Sequence, residues 1–177
     1  MIARKLLGAP RASSVFSPPL RQALAYTDQE KASEKNYLLS GRRIGVQSWG
    51  IAPKIREVDV FLRKRTKTGN KIREVHPEPL FWALNGRKAM SYNKKSPDGF
   101  KERLRILKRY FSLSGEVVDA ALKKFPRKKV RRDDILDSLV AAITALQTAN
   151  SSLNTIPAKR QLDKKGLPME MVYCSFD

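Results

Sequence analysis

The stretch KIREVHPEPLFWALNG, residues 71 to 86, decides how the chain folds, because two kinds of local order meet inside it. Ile72 and Val75 give no helical stripe, and Pro77 biases His76 away from the helical region. A short strand is therefore expected over 72 to 76, followed by a helix that opens near Pro79 and carries Leu80, Phe81, Trp82 and Leu84. The same five letters, KIREV, occur earlier at Lys54, where Ile51, Ile55, Val58 and Leu62 follow the spacing of a helix face. A five-residue match without similar surroundings is no repeat architecture.

On an extended 72 to 76, Glu74 and His76 project to the same face, and Glu78 stands at the entry to the helix. Glu, His and Glu at a strand-to-helix junction suit acid–base or metal chemistry, and Glu78 also suits the positive end of a helix. A second acidic element lies in RRDDILDSLVAAITALQTAN, 131 to 150. Ile135, Leu136, Leu139, Val140, Ile143 and Leu146 form the bulky side of this helix. Asp134 and Asp137 share the other side with Ser138, Ala141 and Ala145, while Asp133 reads as an N-cap. Carboxylates from the strand end and from this late helix converging on one point would suit Mg²⁺ or Mn²⁺, which prefer oxygen ligands.

Charge points to the same substrate class. Against 17 acidic residues stand 36 Lys and Arg, a formal charge of +19 in 177 residues. Basic tracts lead into both acidic elements: RKRTKTGNKIR (63 to 73), with Arg63, Lys64 and Arg65, and KKFPRKKVRR (123 to 132), with Lys128, Lys129, Arg131 and Arg132. Such tracts are expected where a polyanion is held beside acids that would otherwise repel it. The partner expected is nucleic acid, with no preference between DNA and RNA legible.

Other chemistries are excluded more simply. Cys174 is the single cysteine, so neither an internal disulfide nor a cysteine-rich zinc site can form, and a reducing, cytoplasmic setting is expected. His76 is the single histidine, and no serine stands in a G-x-S-x-G setting, which argues against a hydrolase triad. No apolar run approaches a membrane span, so no membrane partner is expected. The acid-free N-terminus imitates a transit peptide, but it also reads as domain interior, with Ser17-Pro18-Pro19 as a helix entry. Trp49, Phe61, Phe81 and Trp82 read as core or helix-packing residues and not as stacking platforms for bases, and Phe100, Leu104, Leu107 and Phe111 at helical spacing read as core. After a polar connection, LPMEMVY closes the chain as a strand with Met169, Met171 and Tyr173 on one face.

LLGAPRASSVFSPPLR, QSWGIAPKIREVD, EVHPEPLFWALNG, DDILDSLVAAITAL and GLPMEMVY stand in an order that resembles domain-of-unknown-function family 429, a family of predicted nucleases with a ribonuclease H-like fold. The resemblance implies an α/β domain with an acidic site drawn from an early-strand Asp, a strand Glu and acids of a late helix. On this chain those are Glu74, Asp134 and Asp137, with His76 and Glu78 assisting. The family's upstream Asp-bearing strands have no counterpart here. The expectation is thus one ribonuclease H-like domain over 1 to 177, N-terminally truncated and helix-rich with few strands, with an exposed sheet edge open to self-association. The expected activity is that of a divalent-metal-dependent nuclease or phosphodiesterase. The alternative is a catalytically inactive, basic nucleic-acid-binding remnant.

Overall fold

The computed structural model describes residues 2–64, 72–148 and 153–174. In chain order its helices are α1 (Ile2–Leu7), α2 (Gln29–Ser40), α3 (Val46–Gly50), α4 (Ala52–Lys64), α5 (Pro77–Leu84), α6 (Pro97–Tyr110), α7 (Ser114–Lys124) and α8 (Arg132–Gln147). Two strands follow, β1 (Leu153–Ile156) and β2 (Met171–Cys174). This is the helix-rich α/β composition expected, with few strands. None of the described helices is long and apolar enough to cross a membrane. The chain divides into two compact units, one formed by 16–72 with 162–168, the other by 2–15, 73–161 and 169–177.

The second unit is built around α8. Leu136 and Val140 are completely buried there, joined by Ile135 and Ile143, and they pack with Leu80, Phe81 and Leu84 of α5, Ile106 and Leu107 of α6, and Val118 of α7. Each such side chain contributes roughly 1.5–3 kcal/mol on burial. Leu146, expected on the same side, is 72% exposed, because the apolar stripe leaves the packed region in the last turn. A second cluster gathers Ala3, Leu7, Val15, Trp82, Ala83 and Ile156. Phe81 and Trp82 are core, as their spacing predicts; Phe100, Leu104 and Phe111 flank the main cluster and are partly buried.

Among the described residues the sheet is a single antiparallel pair, with Leu153 opposite Cys174 and Ile156 opposite Met171. Residues 72 to 76 form no strand, contrary to expectation. They run beside β2 with one backbone hydrogen bond, from Val172 N to the Glu74 carbonyl at 2.8 Å, and a single bond makes no ladder. Met171 and Tyr173 are half-buried on one face of β2, with Tyr173 edge-on to Trp82, while Val172 and Cys174 are buried on the other; Met169 lies ahead of the strand and is exposed.

Helix α5 begins two residues earlier than predicted, at Pro77, because His76 caps it: the ring Nδ1 accepts from Glu78 N at 3.3 Å. Helix α6 begins with Ser96 as cap, its Oγ accepting from Gly99 N at 3.0 Å, and Pro97 at the first helical position.

In the first unit Asp28 caps α2 and Gly41, at φ 68°, ends it. Ser17, Pro18 and Pro19 open no helix; a short 3-10 turn follows only at Ala23–Ala25. The buried apolar residues are few: Ala23, Ala32 and Ile44 cluster with Trp49 partly buried against them, and Leu24 and Ala52 are buried as well. The expected helix over the first KIREV is present as α4, yet Val58 and Phe61 on it are exposed, as is Ile51 just ahead of it. Phe61 is therefore not core. Arg21 bridges Asp59 and Asp163, and Arg63 adds an ion pair to Asp59 at 3.0 Å.

Candidate functional site

Asp133 and Asp137 lie one turn apart on α8, so both carboxylates face the same side. Between them sits the ammonium of Lys94, 2.7 Å from Asp137 Oδ2 and 3.2 Å from Asp133 Oδ2. The two aspartate side chains are only 11% and 17% exposed.

Lys94 belongs to the connection between α5 and α6, which α6 itself holds in place. The Glu102 carboxylate accepts from Ser91 N at 2.9 Å and Tyr92 N at 3.1 Å. Arg103 donates to the carbonyls of Tyr92 and Gly99, and Ser96 Oγ donates to the Asn93 carbonyl at 2.8 Å. Gly99 is required where it stands: a β-carbon there would meet the Asn93 oxygen at 1.9 Å.

Arg103 has a further role. Its guanidinium is completely buried and donates to Glu78 Oε1 at 2.7 Å, while also lying 5.4 Å from the centre of the Phe81 ring. Asp137 Oδ1, Glu78 Oε2 and Arg103 Nε are buried without a hydrogen-bond partner among the described residues.

The charges act on one another. Burial opposes the Lys94 ammonium, but hydrogen bonds and charge from Asp137 and then Asp133 outweigh it and raise its pKa, so Lys94 is a cation at neutral pH. Burial raises the Asp137 carboxyl above the usual aspartate range; Lys94 opposes the shift, and the nearby charges of Asp133 and Glu78 add to it. Burial lowers His76, against the attraction of Glu78, so at neutral pH the imidazole is neutral with Nδ1 free to accept.

The expected residues are thus distributed in a different way. His76, Glu78 and Asp137 influence one another electrostatically. Asp134 does not join them: it is exposed and caps α8 by accepting from Arg131 N at 3.0 Å. Asp133, read as the cap, takes the buried position instead, because the helix starts one residue before it. Glu74 reaches solvent from the extended segment, although neighbouring atoms crowd its carboxyl and raise its pKa. Glu74, Asp134 and Asp137 are not brought together, and among the described residues no three His, Cys, Asp or Glu side chains form a group suited to a metal ion. A divalent ion does not fit this constellation as it stands, since its two converging carboxylates already hold an ammonium. Lys94, Glu102 and Arg103 carried no local signal, because their contacts reach 43, 11 and 25 residues along the chain.

The basic residues also separate. Arg63 is paired with Asp59, Lys64 is exposed at the end of α4, and Arg65 lies outside the described residues. From Lys123 to Arg132 every Lys and Arg is exposed, and none forms an ion pair among the described residues. Arg132 stacks over Phe100 at 4.5 Å, which orients its guanidinium.

These features define a basic α/β protein with a buried ionic cluster beside an exposed cationic connection. The chain belongs to the family described as Protein of unknown function (DUF429), whose model matches residues 1–162. No curated protein and no solved structure gives a significant match.

Proposed function

We propose that this chain is a nucleic-acid-binding domain that holds phosphates along the exposed connection between α7 and α8. The observation that carries this reading is the run from Lys123 to Arg132, with seven cationic side chains exposed and free of ion pairs among the described residues. Unpaired cations release the counterions of a polyanion on contact and steer its approach. The test is binding of fluorescently labelled DNA and RNA oligonucleotides over a range of salt. The expected outcome is a linear fall of log affinity with log salt, similar across sequences. Binding indifferent to salt would contradict phosphate contact.

A second reading is phosphodiester hydrolysis within a ribonuclease H-like fold, the activity and fold implied by the motif resemblance. In its favour, Asp137 combines a buried, unpartnered oxygen with a raised pKa, and the neutral His76 lies in its field. Cleavage that depends on Mg²⁺ or Mn²⁺ and vanishes in Glu74→Gln or Asp137→Asn, with binding retained, would favour this reading. Binding without cleavage in the unaltered chain would favour the first.

A further inference from the structure

We infer that Lys94 is a built-in counter-ion: its ammonium takes the position between Asp133 and Asp137 that a divalent cation would otherwise occupy, closing the cluster to Mg²⁺ and Mn²⁺. The inference concerns the buried cluster and does not rest on nucleic-acid binding by the 123 to 132 run.

Three observations carry it. First, the ammonium bridges both carboxylates, at 2.7 and 3.2 Å, so an ion coordinated at about 2.0–2.1 Å to the same oxygens would overlap it. Second, the connection that carries Lys94 is held in place. Its backbone is anchored by the Glu102 carboxylate on Ser91 N and Tyr92 N, by Arg103 on the Tyr92 carbonyl, and by Ser96 on the Asn93 carbonyl, with Asn93 packed onto Gly99. The ammonium is thus delivered to the two carboxylates from a fixed stretch of backbone. Third, Asp133 and Asp137 keep their carboxylates on one side of α8 once the ammonium is gone, and Glu78 lies in the field of Asp137. Asp137 Oδ1 and Glu78 Oε2 are buried and unpartnered among the described residues, and the Glu78 side chain is only 5% exposed. Hard cations prefer such oxygens.

The test is Mn²⁺ binding, followed by the paramagnetic resonance signal of the free ion at neutral pH with no nucleic acid present. The unaltered chain is expected to show no saturable site. Lys94→Ala is expected to bind one Mn²⁺ at least tenfold more tightly than the unaltered chain, and adding Asp137→Asn to it is expected to abolish that gain. Saturable binding by the unaltered chain with equal affinity, or none by a folded Lys94→Ala, would overturn the inference. If Lys94→Ala fails to fold in metal-free buffer, recovery of its helical circular dichroism with millimolar Mn²⁺ would support the inference, and failure to recover would overturn it.

Discussion

The carbonyl oxygen of Asn93 lies 1.9 Å from the place that a β-carbon on Gly99 would take, so the connection ahead of α6 rests directly on the helix backbone. Gly99→Ala must push that connection away and disturb the hydrogen bonds around Ser91 to Asn93. A loss of about 1–3 kcal/mol is expected, read from the urea midpoint. Gly115→Ala is the control. A β-carbon there meets only the end of the flexible Lys108 side chain, so its effect is expected to be small.

The ion pair between Glu78 and Arg103 is buried on both sides, at 5% and 1% exposure. Arg103→Met strands a buried carboxylate and is expected to cost about 3–5 kcal/mol in denaturant unfolding. Combining it with Glu78→Leu removes the stranded charge, so the double variant is expected to be more stable than Arg103→Met alone. A double variant no more stable would mean that packing of the guanidinium, and not charge, holds this position.

His76 ties stability to pH. Burial depresses its pKa below the ordinary 6.5, so protonation favours the unfolded chain. Its contribution is fully present above pH 6.5 and is lost as pH falls through the lowered folded value. His76→Asn keeps a cap acceptor for Glu78 N but does not titrate. Thermal melts from pH 8 to 5 are expected to show a decline in the unaltered chain that is smaller in His76→Asn. Equal declines would assign the effect to other groups.

Charge reversal separates the two basic tracts. Lys128→Glu with Lys129→Glu is expected to weaken nucleic-acid binding several-fold for all sequences and to flatten the salt dependence. Arg63→Glu is expected to do less, because Arg63 already faces Asp59. Anisotropy titrations measure both, and a larger loss from Arg63→Glu would move the interface away from the 123 to 132 connection.

Helices and apolar positions were the legible part. The periodicity of Leu136, Val140 and Ile143 marks α8 and its buried side, and Pro77 marks the start of α5 to within two residues. Pattern failed where one hydrogen bond outweighed it. Arg131 N chose the Asp134 carboxylate, which shifted the helix start and moved Asp133 from the rim into the cluster. Residues 72 to 76 lack a helical stripe and precede Pro77, but strand character needs a continuous ladder, and Val172 supplies a single bond. The apolar face of α4 follows helix spacing as well as any other, yet the small buried set of Ala23, Ala32 and Ile44 does not cover it. Lys94 was invisible for a topological reason: nothing near it in sequence reveals that α8 will pass beneath.

Of the chain's two tryptophans, Trp49 stands in the unit formed by 16–72 with 162–168, and Trp82 stands in the other. Trp49 rests against Ala23, Ala32 and Ile44, whereas Trp82 meets the edge of Tyr173 in a mostly buried site. The molecule therefore carries one indole per unit, which can be excited apart from the tyrosines. Replacing either indole with phenylalanine leaves an emission that follows the melting of the opposite unit alone, with no external dye.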